Sequence, residues 1–397
     1  MGERIACLLY ATMVLLVGVW CFRNPMLNWD LIQYSAQVFL LEGQDADAVY
    51  EGTYAELKAE IPADRYRDLV GDPDVLTMKG ANPMSVYRLD VATNRFHFAE
   101  QFPLYAAKPL YVAVVSVLHR LGLGLVRATL VPSIVSWALL CLLAFKWVGL
   151  YLQGVPQLVC SSLACFSPPA LLLPRLSTPD SLSALLVLLA LYFLLEKQSL
   201  TLFSGLLLLS LFVRTNNLIV LSFVLSYLVF RARGRLRITI FQYAVLLSVG
   251  VAVVFTINHF SGYYGWSTLF YDSLISPLTA PAEALVHVPA KTYLLIVKGC
   301  LLNLALESYV PLFIFIGMVA VFLLSHGRPE PTRQTYRDLT VLLLATIPVC
   351  FLLLPSFGRL FLEERYIDPQ FMFFGVAFAV GLAERTKVDT TAMLIES

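Results

Sequence analysis

The amino-acid sequence predicts an all-α membrane protein, a polytopic bundle of about ten transmembrane helices with a long exoplasmic loop between the first two crossings. Three observations lead there. Of 397 residues, 58% are hydrophobic and 14% charged, whereas soluble domains carry about a quarter charged residues; the mean hydropathy is +0.75. Several windows carry almost no charge over about 17–25 residues, the length that crosses a bilayer: Leu8–Phe22, Ile134–Phe145, Leu182–Leu195, Leu218–Phe230 and Leu339–Leu354 with their flanks. The basic residues, finally, are distributed so that the loops sort into two sides.

Taken in order, the expected spans run roughly over 5–22, 128–147, 156–174, 181–195, 199–213, 217–230, 238–257, 308–325, 339–355 and 369–383. The first follows Arg4 as a signal peptide would, but no small-residue cleavage site follows Cys21-Phe22-Arg23, so it reads as a retained anchor. Two further apolar segments, Pro109–Leu123 and Tyr293–Leu306, read as lying flat or dipping into the membrane. One ends in His119-Arg120 and the other carries Lys298 at its middle, and both suit an interface better than hydrocarbon.

With that count both termini are cytoplasmic. So are Arg4, the arginine cluster of loop 231–237 (Arg231, Arg233, Arg235, Arg237), the basic loop 326–338 with Arg328, Arg333 and Arg337, and the tail residues Arg385 and Lys387. Treating Pro109–Leu123 as a full span would put Arg4 or the four-arginine cluster on the wrong side. The chain 1–397 is then a single transmembrane domain. The exoplasmic side receives loop 23–127, the turns 175–180, 214–217 and 357–370, and segment 258–307.

A net charge of +1 argues against nucleic acid as a partner, since a phosphate-tracking surface needs clustered excess Lys and Arg. The seven cysteines sit in or beside apolar stretches without metal-ligand spacing and read as small packing residues. Loop 23–127 is acidic and aromatic. Its residues Leu31, Tyr34, Val38 and Leu41 recur at helical spacing and predict an amphipathic helix opened by Asn28.

Asp30 stands just beyond the outer end of the first span, where partial desolvation raises a carboxylate's proton affinity, a suitable place for a general base. On position alone, a helix-start carboxylate that interacts favourably with the helix dipole is the simpler account of Asp30. Arg175, Arg214, Arg359 and Arg365 lie at outer span ends, against the cytoplasmic bias of basic residues. Each alone could snorkel or pair, with Glu363 or Glu364 at hand for Arg365, but several guanidinium groups on one face suit a phosphate. Asp180, after Pro179 and before a helix, is either a simple helix-start acid or a group aimed into an outward cavity. Asp45-Ala-Asp47 and Asp72-Pro-Asp74 could hold a divalent cation, but a loop so acidic produces such spacing by chance, and no metal is expected. His97, His259 and His287 lack ligand spacing, and no P-loop, nucleophile elbow or HExxH occurs.

The order of these features resembles the C-type (GT-C) membrane glycosyltransferases, which include protein mannosyltransferases and the aminoarabinose transferase of lipid A. Asn28-Trp29-Asp30 followed by Tyr34, Ala36, Gly43 and Tyr50 is similar to that family's first-loop pattern. Phe102-Pro103-Leu104-Tyr105 and Lys108-Pro109-Leu110-Tyr111, leading to Leu121-Gly122, resemble its proline-led interfacial helix, and Arg127 with Pro132-Ser133 its following span. Ser167-Pro168-Pro169 and Arg175 to Asp180 resemble its second outer loop, and Glu364-Arg365-Tyr366 with Pro369 a late Arg-Tyr motif.

The resemblance implies inverting transfer of a sugar from a polyprenyl-phosphate donor in the membrane to a glycan, lipid or protein acceptor outside. Asp30 would be the base, and Arg365 with Tyr366, Arg175 and Arg214 would hold the departing phosphate. Asp180 would orient the acceptor, and no cofactor is favoured. A polytopic transporter or lipid-linked-glycan flippase is the rival reading. Carriers, however, concentrate ionisable groups near the midplane of broken or repeated helices, whereas here they gather at the outer rim. A non-catalytic scaffold with a binding loop is a third reading, but it would not require Asp30 and the outer arginines to converge. The absence of Asn-x-Ser/Thr fits a bacterial cytoplasmic membrane.

Overall fold

A computed structural model describes residues 2–71, 83–232, 234–284, 286–326, 330–353, 365 and 367–396. Regular structure among them is helical, apart from one isolated bridge between Met26 and Leu176. The first helix, α1 (Glu3–Arg23), is followed by seven short ones: α2 (Trp29–Leu41), α3 (Ala46–Glu60), α4 (Ala63–Val70), α5 (Pro83–Thr93), α6 (Arg95–Glu100), α7 (Phe102–Ala106) and α8 (Pro109–Arg120). Then come α9 (Leu125–Val148), α10 (Val155–Cys165), α11 (Pro168–Leu172) with a 3-10 turn over Leu173–Arg175, α12 (Asp180–Leu195), α13 (Leu200–Leu211) and α14 (Asn217–Phe230). The remainder is α15 (Ile240–Ser261), α16 (Trp266–Leu274), α17 (Ala290–Glu307), α18 (Val310–Ser325), α19 (Pro331–Leu353) and α20 (Asp368–Glu396).

Local chemistry sets many of these boundaries. Asp45 accepts the amide of Ala48 at 2.8 Å to open α3, and Asn94 accepts that of Phe96 at 3.0 Å to open α6. Thr239 and Gln242 form a reciprocal capping box at α15, which ends on Gly262 at φ +68°, a left-handed conformation that suits glycine. Proline in the first turn opens α7, α8, α10, α11 and α18.

By length and composition four helices can cross a membrane: α1, α9, α15 and α19. Up to seven crossings result if each of three bent pairs counts as one. Those pairs are 95–106 with 109–120, bent by 112°; 155–165 with 168–175, bent by 66°; and 290–306 with 310–325, bent by 71°. A bend of 112° folds the chain back on itself, so α8 does not carry the direction of α6 and α7 onward. The apolar helices α12, α13 and α14 have 16, 12 and 14 residues, short of the roughly 20 that span hydrocarbon. Among the described residues, length and composition thus show four to seven of the expected ten crossings. Large apolar side chains such as Leu8, Phe255 and Phe260 stand out from α1 and α15, as expected of faces solvated by lipid.

Two apolar clusters hold the molecule together. One runs through α1, α9, α10 and α12 to α20; the other joins α2 to α8 with the first turn of α9. The predicted helix opened by Asn28 is present as α2, but it is buried on nearly every side, polar Gln33, Ser35 and Gln37 included, rather than amphipathic. Segment 326–338 is not wholly a loop either: α19 starts at Pro331. The expected solvated Arg333 is buried and donates to the Leu323 and Leu324 carbonyls at 2.6 and 2.9 Å, satisfying the end of α18.

A buried ion-pair network as candidate active site

Four charged side chains from four distant segments form one alternating chain, Asp30–Arg365–Asp180–Arg214. Arg365 lies 3.0 Å from Asp30 through Nη1 and 3.4 Å from Asp180 through Nε, and Arg214 pairs with the other oxygen of Asp180. Exposure of these side chains is 19% for Asp30, 7% for Arg365, 13% for Arg214 and none for Asp180. Ions so removed from water persist only with opposite charge at hand; Asp180 has both arginines in ion-pair contact, although neither of its oxygens makes a well-aligned hydrogen bond among the described residues.

The fold delivers each group from a helix end. Asp30 is the second residue of α2 and Asp180 the first of α12, where the unpaired amides of the first turn favour a carboxylate. Arg214 occupies the turn between α13 and α14, and Arg365 precedes α20 by three residues. Two neutral donors complete Asp30: Asn28 Nδ2 at 2.8 Å and the Tyr105 hydroxyl at 3.1 Å. Asn28 thus holds Asp30 rather than capping α2, which makes no side-chain cap hydrogen bond.

Lys108, at the break between α7 and α8, is a fifth charge here. Its Nζ donates to the Leu104 carbonyl at 2.5 Å and sits 5.2 Å from the Tyr105 ring centre; among the described residues no carboxylate pairs with it. Burial pushes Lys108 down to about 8, and the nearby Arg214 adds to this while Asp30 and Asp180 oppose it. Among the described residues, Asp30 and Asp180 thus share this site with Arg365, Arg214 and Lys108, and Arg88 also feels the Asp30 charge.

Sequence reasoning picked out Asp30, Asp180, Arg214 and Arg365, and all four meet. Arg175 does not join them. Its carbonyl accepts from Met26 N at 2.9 Å, its Nε donates to the Asn24 carbonyl at 3.5 Å, and its guanidinium lies 4.8 Å from the Trp20 ring centre. It fastens the chain leaving α1 to the turn before α12. Asp180 is a helix-start acid, the first residue of α12, and is at the same time buried and paired with both arginines. Tyr366, Arg359, Glu363, Glu364 and Asp72-Pro-Asp74 lie outside the described residues.

In the other Asp-x-Asp pattern Asp45 caps α3 and Asp47 pairs with Arg95 at 3.1 Å, while His97 contacts Asp90 at 2.8 Å. Among the described residues no group of three or more His, Cys, Asp or Glu side chains could hold a metal ion. Tyr105 and Lys108 escaped sequence reasoning as site residues, although the Lys108-Pro109 junction marked a helix break beside an apolar stretch. No protein-family model, curated protein sequence or solved structure matches the chain.

Proposed function

We propose that this protein is a membrane glycosyltransferase that moves a sugar from a polyprenyl-phosphate donor to a hydroxyl of an exoplasmic glycan, lipid or protein acceptor, with inversion. The observation that carries this reading is the meeting of Asp30, Asp180, Arg214 and Arg365 in one buried network. A base and phosphate-binding guanidinium groups must share one site for such chemistry.

Lys108, with which no carboxylate pairs among the described residues, gives the donor phosphate its place. A lipid phosphate entering beside Lys108 competes with Asp30 for Arg365, whose planar fork suits phosphate oxygens. Asp30 then loses its ion-pair partner while keeping Asn28 and Tyr105, and becomes free to accept a proton. The acceptor oxygen attacks the anomeric carbon as its proton passes to the Asp30 carboxylate. The bond from that carbon to the phosphate oxygen breaks, and the polyprenyl phosphate leaves with the electron pair, held by Arg365, Arg214 and Lys108. Asp180 keeps both arginines oriented throughout.

The arrangement proposed around this site is a bundle of about ten crossings with cytoplasmic termini in a bacterial inner membrane. It is supported by the way polar groups pair at helix ends. The four network residues lie at ends assigned outward. Trp147, Tyr151, Glu196 and Tyr336, assigned inward, meet one another, with Glu196 accepting from Trp147 Nε1 and the Tyr151 hydroxyl, both at 2.9 Å.

The test is reconstitution in liposomes with radiolabelled undecaprenyl-phosphate mannose, glucose or galactose, and a cell-envelope extract as acceptor source. Transfer by the wild-type protein and its loss in a folded, inserted Asp30→Asn variant is the expected result. Full transfer in that variant removes Asp30 as base.

A further inference from the structure

Gln33 is fully buried on α2, and among the described residues neither its amide nitrogen nor its amide oxygen has a hydrogen-bond partner. A primary amide left that way is costly, and leucine or methionine would fill the same space without the cost. Its position is specific. Asp30, Gln33 and Gln37 recur at spacings of three and four and so line one face of α2. Both flanking members reach α7: Asp30 takes the Tyr105 hydroxyl, and Gln37 Nε2 donates to the Phe102 carbonyl at 3.3 Å. Gln33 lies between them, one turn from the Asp30 carboxylate. Across the network the Thr178 and Ser181 hydroxyl oxygens, flanking Asp180, are likewise buried without a partner.

We propose that Gln33 binds a hydroxyl of the transferred sugar and acts as a specificity-determining residue of the site. This rests on the glycosyltransferase reading above. A sugar hydroxyl both donates and accepts, and a primary amide offers one group of each kind. The phosphate is assigned to Arg365, Arg214 and Lys108, and the sugar is covalently attached to that phosphate. The ring must therefore lie within a few ångströms of the network. Neighbouring residues on one helix face stand roughly 5–6 Å apart, so a ring presented at Asp30 is within reach of the next turn. The two orphan hydroxyls beside Asp180 add further unpartnered polar groups near the network.

The experiment uses full-length protein in lipid nanodiscs and two probes, undecaprenyl phosphate and undecaprenyl-phosphate mannose, with the glucose and galactose forms as alternatives. Wild-type protein is expected to bind one sugar-bearing lipid about tenfold more tightly than the bare lipid, the equivalent of a good hydrogen bond. Gln33→Leu is expected to lose that preference while its affinity for the bare lipid and its insertion are unchanged and its melting temperature is equal or higher. Gln33→Met, of similar length, serves if leucine disturbs packing. A variant that keeps the sugar preference overturns the proposal. So does one that loses both lipids equally, since Gln33 then only supports the fold. Wild-type protein that binds neither lipid defeats the glycosyltransferase reading itself, an outcome distinct from either.

Discussion

Breaking the contact between Asp30 and Arg365 should reveal a coupled buried pair rather than a surface ion pair. At 3.0 Å, with 19% and 7% of the side chains exposed, the attraction is about 5 kcal/mol at an effective dielectric constant of about 20. Desolvation of both ions offsets much of that, leaving an expected coupling of about 2 kcal/mol. Arg365→Met should cost more than Asp30→Asn, about 3–5 kcal/mol, because it also takes one of two cations from the fully buried Asp180. Arg365→Lys should recover little, since a single ammonium cannot meet two carboxylates as a planar fork does. The assay is a double-mutant cycle, unfolding the protein in mixed micelles of rising dodecyl-sulfate fraction and following tryptophan fluorescence. A coupling below about 0.5 kcal/mol, the scatter of independent sites, would refute the network as a cooperative unit.

Other perturbations bear on separate parts of the molecule. Because Lys108 is held at about 8, below its ordinary 10.5, the unfolded chain binds a proton that the folded one does not between those values. Stability should therefore rise with pH across that window, while binding of undecaprenyl phosphate weakens above pH 8. Lys108→Arg should flatten the binding profile. Asp272 on α16 is pushed up by burial to about 6 from 3.8, opposed by the Leu278 amide it accepts at 2.7 Å. Its folded form holds the proton longer, so thermal stability should fall by up to about 3 kcal/mol as pH rises from 4 to 6. Asp272→Asn should remove that slope in pH-dependent melting. A Cβ at Gly375 would lie 2.8 Å from the Ala164 Cβ of α10, whereas one at Gly205 in α13 meets nothing within 4 Å. Gly375→Ala should cost about 1–3 kcal/mol through overpacking. Gly205→Ala should gain about 0.5–1 kcal/mol from helix propensity, both read by the same micelle titration.

The residues that were legible in the sequence are those whose environment is set by near neighbours. Asn217–Phe230 is a helix over the expected residues because its apolar run has sharp polar edges, and α2 begins directly after Asn28 as the spacing of Leu31, Tyr34 and Val38 implies, although the Asn28 side chain holds Asp30 and does not cap the helix. Asp30, Asp180, Arg214 and Arg365 stood out because outward placement of so many charges demanded a partner. Their pairing was not legible. Arg365 pairs with Asp30, 335 positions away in sequence, a contact that chain topology creates and local spacing cannot encode. Arg175 has the same chemistry as the network arginines, but it follows a bend of 66° and its guanidinium lies against Trp20. The period of Leu31, Tyr34 and Val38 implied a helix with one wet face. The face expected to be wet is covered by a second layer of short helices, which a pattern confined to α2 cannot register.

The two ends of the helices also bear on the rival reading of a transporter. A carrier that alternates access must open and close each side in turn, and its coupling charges ordinarily lie between the two gates. In this protein the charged network is gathered at first turns and interhelical turns, with the chain's own aspartates neutralising its arginines. The opposite ends of α9, α12 and α19 are tied by Trp147, Tyr336 and Tyr151 around Glu196, together with a 2.5 Å contact from Trp147 Nε1 to the Tyr336 hydroxyl. Opening that end would exchange three hydrogen bonds to a partly buried carboxylate for water, a net cost of about 1.5–3 kcal/mol for each bond to a charged group. A lipid-linked donor reaching the network sideways from the membrane requires no such rupture. It needs only the exchange of Asp30 for phosphate at Arg365, so Glu196→Gln should loosen the fold while leaving sugar transfer intact. Loss of transfer in a folded, inserted Glu196→Gln protein would instead tie the far gate to function and favour transport.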